Sequence, residues 1–380
     1  MQEKFIARCF ELAKLGETYA FPNPIVGAVI VNKGNIIGEG FHQIYGKEHA
    51  EVNAVNAVLA KYPGTHEQVL AESEIYVSLE PCNHTGKTPP CTELIKKYKF
   101  KKLIFAIHDP NPDLDHSRAI AFEAIQKNGT EIVFPKTFSS HIKEEAYFIN
   151  RIFFENLKKK KNNHHLNNSW ITLKLASYEN GSMIIKDDKW ISNSESRKEV
   201  HRLRSCHNVL ITGINSIKKD NSRLNLRFSK DDLNLAEIRQ PEIIILKSNQ
   251  DFSLEEREIL SVFKNPKVTE IKTDRSSEAL YNLIKNLTKN QPKRVLVEAG
   301  PNLIESFLKA NLFDEIIHYI KLETENYSDK YLEKLSNKFL ENYQSKIKDT
   351  DSILKISKLQ IIKSKSEPSN LKLTINKLEQ

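Results

Sequence analysis

The chain has 380 residues, of which 39% are hydrophobic and 28% charged. That composition folds, and the length exceeds what one hydrophobic core usually organises, so two domains of roughly 150–200 residues are expected. The formal charge is +8 at pH 7, yet the lysines are scattered and the one dense run, residues 158–161, has no interleaved aromatics; small anionic substrates suit it better than nucleic acid, and no nucleic-acid partner is expected.

The opening residues have acidic side chains and apolar ones (Phe5, Ile6, Cys9, Phe10, Ala13) at helical spacing, with a stop at Gly16, which predicts a buried amphipathic helix rather than a secretion signal. Two apolar runs, 25–31 and 36–41, flank Asn32-Lys33-Gly34-Asn35 and predict a hairpin. A helix is expected over 49–59, a strand over 75–79, a turn-rich loop over 80–90, a helix over 91–99 and a strand over 103–108. A helix over 118–128 and a strand over 131–134 follow. The fold class is therefore α/β. Periodicity is lost over 158–169, and the linker is placed at 151–168, between a domain of residues 1–150 and one of 169–380. Beyond it come strands at 171–176, 209–212, 243–246 and 295–298, and a helix at 277–289. After residue 326 the Lys-, Ser- and Asn-rich tail gives no clear signal. No apolar run reaches the roughly 18 residues needed to span a bilayer, and four cysteines are too few for a disulfide scaffold, so a cytoplasmic protein without a membrane partner is expected.

His49-Ala50-Glu51 opens one predicted helix, Cys82 follows a strand, and Cys91 opens another helix. Imidazole nitrogen and thiolate sulfur are what Zn²⁺ prefers, and three protein ligands leave a fourth position for a water of lowered pKa. Placing Cys82 and Cys91 at helix N-termini would favour their thiolates. Glu51, two residues after His49, is placed to carry protons. The spacing fits the H-x-E and P-C signature of zinc deaminases, except that eight residues rather than two separate the cysteines. A closed site in which His84 fills the fourth position, making the zinc purely structural, is the competing arrangement.

The run Pro81-Cys82-Asn83-His84-Thr85-Gly86-Lys87-Thr88-Pro89-Pro90-Cys91 resembles the metal loop of the bifunctional riboflavin-biosynthesis deaminase/reductase family. Pro22-Asn23-Pro24-Ile25-Val26-Gly27, Gly38-Glu39-Gly40-Phe41-His42 and Asp109-Pro110-Asn111-Pro112 are similar to it as well, in the same order. The resemblance implies a cytidine-deaminase-like α/β/α domain that deaminates a phosphoribosylated diaminopyrimidine, a small-molecule pyrimidine nucleotide, with Asn23, His42, His84, Lys87, Asp109 and Asn111 as its contacts. His108 is expected to be an ordinary hydrogen-bonded histidine, and Cys9 and Cys206 small buried hydrophobes.

From residue 169 the chain resembles the family's reductase half, which implies a dihydrofolate-reductase-like domain that reduces the ribosyl group to ribityl with NADPH. Lys174, Arg204, Leu224, Arg227 and Glu298 then correspond to substrate-binding positions, and Ala176, Trp190, Ser216, Asp220 and Gly300 to cofactor-binding ones. Asn180, Asn221-Ser222 and Ala299 depart from the family pattern. If Ala299 adopted a positive φ, its Cβ would cost about 1 kcal/mol or more and weaken cofactor binding. Rival readings are a nucleotide or nucleic-acid deaminase with a degenerate second domain, and a non-catalytic zinc module; a homo-oligomer is compatible with all of them.

Overall fold

The structure is a computed structural model; it describes residues 2–111, 114–161, 166, 169–183, 190–247, 268–324, 327–347 and 352–379. The chain divides into two compact units, residues 1–164 with 230–237, and residues 165–229 with 238–380.

The first unit begins with α1 (Gln2–Leu15) and the hairpin β1 (Gly27–Asn32) and β2 (Asn35–Phe41). It continues through α2 (Ala50–Lys61), α3 (His66–Ala71), β3 (Glu74–Val77), α4 (Cys91–Tyr98), β4 (Lys102–Phe105), α5 (Asp115–Lys127), β5 (Glu131–Val133) and α6 (Ser140–Lys161). Its sheet has the order β2-β1-β3-β4-β5; β3, β4 and β5 run parallel, and β1 is antiparallel to both its neighbours. Alternation along the strands sends residues to opposite faces. Ala28, Ile30, Ile75 and Val77 pack with residues of α2 and α4 on one side, while Val29, Val31, Tyr76 and Ile104 pack with α1 and α6 on the other. This is the α/β/α layering expected.

Helix α2, which carries the first candidate residues, lies directly on β2. A Cβ on Gly40 would collide with the backbone of Ala54 and Ala50, and one on Gly38 would sit 2.6 Å from the Ala54 carbonyl oxygen. Only glycine permits that approach. Asn53 Nδ2 then donates to the Phe41 carbonyl at 2.9 Å and fixes the helix in rotation.

The predicted linker requires correction. Residues 151–161 are helical: α6 runs on to Lys161 with Asn150, Phe154 and Asn156 buried, and Lys158–Lys161 in its last turn complement the partial negative charge of a helix C-terminus. A lysine run read as loop is a favourable helix end. Residues 230–237 return to the first unit, where Ala236 N–H donates to the Leu15 carbonyl at 3.0 Å.

The second unit contains β6 (Ser169–Tyr178), α7 (Ser194–Cys206), β7 (Val209–Gly213), α8 (Ile214–Asp220), β8 (Glu242–Lys247), β9 (Val268–Lys272), α9 (Ser277–Thr288), β10 (Lys293–Glu298), α10 (Pro301–Lys309), β11 (Glu315–Lys321), α11 (Asp329–Gln344), β12 (Ser352–Ile362) and β13 (Asn370–Glu379). Its sheet order is β12-β13-β11-β6-β10-β7-β8-β9. From β11 to β9 the strands are parallel, and β12 and β13 add an antiparallel edge. The tail is therefore structural: α11 buries Leu332, Leu335, Phe339 and Tyr343 against the core at helical spacing. Edge strand β12 alternates buried and exposed residues in its first four positions, and its outward lysines hid it in the sequence.

Candidate active sites

His49 caps the N-terminus of α2 in an extended conformation, φ −76° and ψ 166°, which turns its ring toward the β3–α4 loop. His49 Nδ1 lies 3.4 Å from Cys82 Sγ and 3.3 Å from Cys91 Sγ, and the three ligand atoms all lie within 4.8 Å of one another. On the far side of the ring, Nε2 faces Thr88 Oγ1 at 3.2 Å. With Nε2 protonated and donating to that hydroxyl, the Nδ1 lone pair faces the sulfurs. Cys91 is the first residue of α4, as expected. Cys82 is not at a helix start; it sits in irregular loop and instead receives the Cys91 N–H of α4 at 3.3 Å. The helix terminus thus serves both thiols. The shared hydrogen bond with Cys91 pulls the Cys82 thiol down to about 4, and the Cys91 thiol is pushed up, since one proton between two sulfurs can serve only one of them. Among the described residues His84 is not part of this three-residue group; it lines the adjoining cavity instead.

That cavity, about 370 Å³, brings together Glu51 with Asn23, His42, His84, Lys87 and Asp109, five of the six expected contacts. Asn111 is outside its wall, but its backbone N–H donates to Asp109 Oδ1 at 2.9 Å. Glu51 is buried, 3% exposed. Burial first, and the Cys82 sulfur second, push its carboxyl up to about 7, where a carboxylate can both take and give a proton near neutrality. His42 Nδ1 faces the Glu48 carbonyl at 3.0 Å, so it carries the proton, and Nε2 accepts from Asn23 Nδ2 at 3.2 Å; burial lowers the pKa of that ring. His108 proves to be a hydrogen-bonded histidine, its Nδ1 2.6 Å from Glu80 Oε2. Cys9 and Cys206 are buried, as expected. Sequence reasoning missed Tyr45, Glu80, Thr88 and Phe153, all on the cavity wall. Tyr45 carries the Lys87 ammonium 4.1 Å above its ring. Thr88 lay inside a motif already singled out and Glu80 directly before it, whereas Phe153 reaches the site from α6 with no local signal.

In the second unit, Lys174 on β6 and Glu298 on β10 are register partners of neighbouring parallel strands. Lys174 Nζ lies 3.3 Å from Glu298 Oε1, and Arg204 of α7 grips the same carboxylate with Nε at 2.8 Å and Nη2 at 3.0 Å. Burial would raise the Glu298 carboxyl, but Arg204 and Lys174 outweigh it and hold it well below the usual carboxylate range. Arg227 Nη2 faces His201 Nε2 at 3.3 Å, and burial, then Arg204 and Arg227, depress that imidazole to about 3. His201, unforeseen as a site residue, must therefore be the neutral acceptor. Leu224 has φ +55°, and its side chain belongs to the core with Ile214 and Ile217; only its backbone is left to meet a ligand. Ala176, half-buried near the end of β6, packs with Val200 and Tyr319. Ser216 lies in α8 immediately after β7, and Gly300 caps α10 immediately after β10; the parent strands β6, β10 and β7 are adjacent, so these positions share the C-terminal edge of the sheet. Trp190 is 47% exposed with the Arg197 guanidinium 5.4 Å from its ring. Asp220 ends α8, and its side chain lies outside the described residues.

The feared cost at Ala299 does not arise: it is not among the positive-φ residues, and the following Gly300 has φ −69°. Asn221, which replaces the family's Asp, is the left-handed cap of α8 with φ +45°, a conformation Asn tolerates well.

Comparison with known proteins agrees with this geometry. Residues 1–107 match the family described as cytidine and deoxycytidylate deaminase zinc-binding region, and residues 182–321 match the RibD C-terminal domain. The riboflavin biosynthesis protein RibD of Aquifex aeolicus is 31% identical over 332 residues, 84% of this chain and 86% of that protein. RibD of Bacillus amyloliquefaciens is 31% identical over 343 residues, 84% of each. The solved structure of the Thermotoga maritima diaminohydroxyphosphoribosylaminopyrimidine deaminase/5-amino-6-(5-phosphoribosylamino)uracil reductase is 26% identical and superposes with a TM-score of 0.65, covering 99% of both chains. The two halves thus match a deaminase zinc-binding region and a RibD C-terminal domain, each built on a mixed α/β sheet. With matches of this extent across both halves, the chain belongs to the RibD family of riboflavin biosynthesis proteins.

Proposed function

We propose that the chain carries out both reactions of its family: hydrolytic deamination of a phosphoribosylated diaminopyrimidine over residues 1–150, then NADPH-dependent reduction of the ribosyl group to ribityl over residues 169–380. The observation that carries this is the convergence of one imidazole nitrogen and two sulfurs within 4.8 Å beside a cavity that also holds a buried carboxylate. That donor set fits zinc, held by His49, Cys82 and Cys91. Bound there, zinc supplies a Lewis-acidic position that lowers the pKa of water toward neutrality.

The remaining work falls to the chain's own groups. Thr88 holds the His49 tautomer, and Asn23 and His42 orient one another beside the reacting ring. Glu51 takes a proton from the attacking water and delivers it to the departing amino nitrogen, so that ammonia leaves. Burial and the nearby Cys82 sulfur keep that carboxyl poised. Lys87, steadied on Tyr45, supplies a cationic contact and His84 a hydrogen-bonding one for the ribose phosphate, while Asp109 and Asn111 accept and donate hydrogen bonds at the rim.

In the second unit Lys174, Arg204, Arg227, Glu298 and the Leu224 backbone form the substrate side, and Ala176, Trp190, Ser216, Asp220 and Gly300 the cofactor side. A polar ligand fits: His201 Nδ1, Thr212 Oγ1 and Asn225 Oδ1 are buried with no hydrogen-bond partner among the described residues, and a Cβ at Gly300 would meet nothing within 4 Å. NADPH supplies the hydride when bound. A cytoplasmic location belongs to the same proposal, supported by four free thiols; among the described residues no helix is long and apolar enough to cross a membrane.

The test combines metal analysis, ammonia release from the phosphoribosylated diaminopyrimidine, and NADPH oxidation with the deaminated product. One zinc per chain with both turnovers is the expected result. A zinc-loaded chain that releases no ammonia would return the rival reading of a structural zinc module.

A further inference from the structure

The cavity wall holds a second buried carboxylate, Glu80, which the deamination step leaves unused. Its side chain is 3% exposed, and both oxygens are engaged by cationic or amide donors. Oε2 faces His108 Nδ1 at 2.6 Å and accepts the Asp109 backbone N–H at 3.3 Å; Oε1 accepts from Arg118 Nε. Arg118 comes from the first turn of α5, and its Nη2 donates to the Asp109 carbonyl oxygen at 2.7 Å. The backbone of Glu80 itself donates to the Ile107 carbonyl at 2.9 Å, past the end of the β3–β4 pairing.

We propose that Glu80 and Arg118 are positioning residues for the nucleotide, which hold Asp109 and Asn111 in register with the metal ligand Cys82. The inference rests on the deaminase reading of this cavity. Asp109 is clamped on both sides, its N–H by Glu80 and its C=O by Arg118. Fixing the two peptide groups around one Cα fixes the direction of its Cα–Cβ bond, so the carboxylate is aimed into the cavity. That carboxylate in turn accepts the Asn111 N–H at 2.9 Å and sets the next contact. Cys82 follows Glu80 by only two residues, so one side chain references both the metal loop and the rim that grips the substrate. An apolar pair of similar volume could tie the loops together, but it could not orient a peptide group; a bidentate guanidinium can. The same contacts separate the roles of the two buried carboxylates. Each oxygen of Glu80 is already paired, whereas Glu51 has no cation other than the His49 imidazole among its electrostatic neighbours, and so only Glu51 is left to move protons. Positioning of this kind is worth most where substrate and catalytic groups must meet within a fraction of an ångström.

The experiment compares wild type, Arg118→Ala and Arg118→Lys as full-length, zinc-loaded protein. The measurements are KM and kcat for ammonia release, zinc content, NADPH oxidation by the second unit, and amide hydrogen exchange over residues 107–111. For Arg118→Ala the KM for the nucleotide is expected to rise about tenfold or more, with kcat changing far less, zinc retained and NADPH oxidation unchanged. Exchange at Asp109 and Asn111 should accelerate. Arg118→Lys keeps the charge but cannot make both contacts with one ammonium, so its KM should fall between the two; it decides the matter if the alanine variant does not fold. An unchanged KM, or a rise that appears only together with loss of zinc, overturns the proposal. If wild type releases no ammonia at all, the deaminase reading fails first, and the exchange measurement still tells whether Arg118 holds the segment.

Discussion

The first site gathers a carboxyl lifted by burial, a histidine whose pKa burial lowers, and two neighbouring thiols shifted in opposite directions. In the second, Lys174 and Arg204 close around Glu298, with the lysine and the glutamate 124 residues apart in sequence. One site holds groups ready to change protonation; the other holds charges that already satisfy each other and serve as a fixed template. It follows that damage to the first should be read in turnover alone, and damage to the second in stability as well.

The largest effect expected is on turnover. Glu51→Gln should lower kcat for ammonia release by about 10²–10⁴ while leaving NADPH oxidation with the deaminated product intact. Its stability should be unchanged or slightly higher, because it removes an acid that resists ionisation where it sits. A parallel loss in both reactions would erase the contrast. Arg204→Ala should weaken NADPH oxidation, since Arg204 is on the proposed substrate side, and also leave Glu298 with Lys174 alone, costing about 3–5 kcal/mol in urea unfolding, the usual scale for breaking a buried pair; a cost below about 1 kcal/mol would show the pair to be solvated. The smallest effect concerns pH. His318 is buried between Ser177 Oγ at 2.8 Å and the Tyr343 hydroxyl at 2.9 Å, and burial depresses it to about 3. The unfolded chain takes up that proton near the ordinary 6.5 and the folded chain does not. Stability therefore falls as pH drops below 6.5, by at most about 1.4 kcal/mol per unit, and is unaffected above it. His318→Gln should flatten the slope of stability between pH 6.5 and 4; an unaltered slope would remove His318 from the acid response.

The contrast also explains what could be read from the residues alone. His49, Cys82 and Cys91 lie within one stretch whose residue types answer to a single metal, with Glu51 two positions after His49, so local order singled them out. Thr88 sat in the same stretch and passed unnoticed, because a hydroxyl has too many ordinary uses. Phe153 and Arg118 come from helices far along the chain, and nothing in sequence spacing announces a contact made by tertiary packing. Leu224 shows a different limit: its side chain faces the core, so any substrate contact there would fall to its backbone. The lysine run closing α6 and the polar edge strand β12 were opaque for a common reason, that solvent-facing residues dominate the composition of an element whose buried face is narrow.

The seat of α2 on β2 has a mechanical meaning. Where Gly38 and Gly40 meet Ala54, main chain rests on main chain with no side chain between them to change rotamer and cushion a displacement. A push on the hairpin is passed undamped into the first turn of α2, where His49 and Glu51 stand. A single added methyl group at Gly40 would press on the backbone of Ala50 and Ala54, in the same helix that begins next to His49 and carries Glu51.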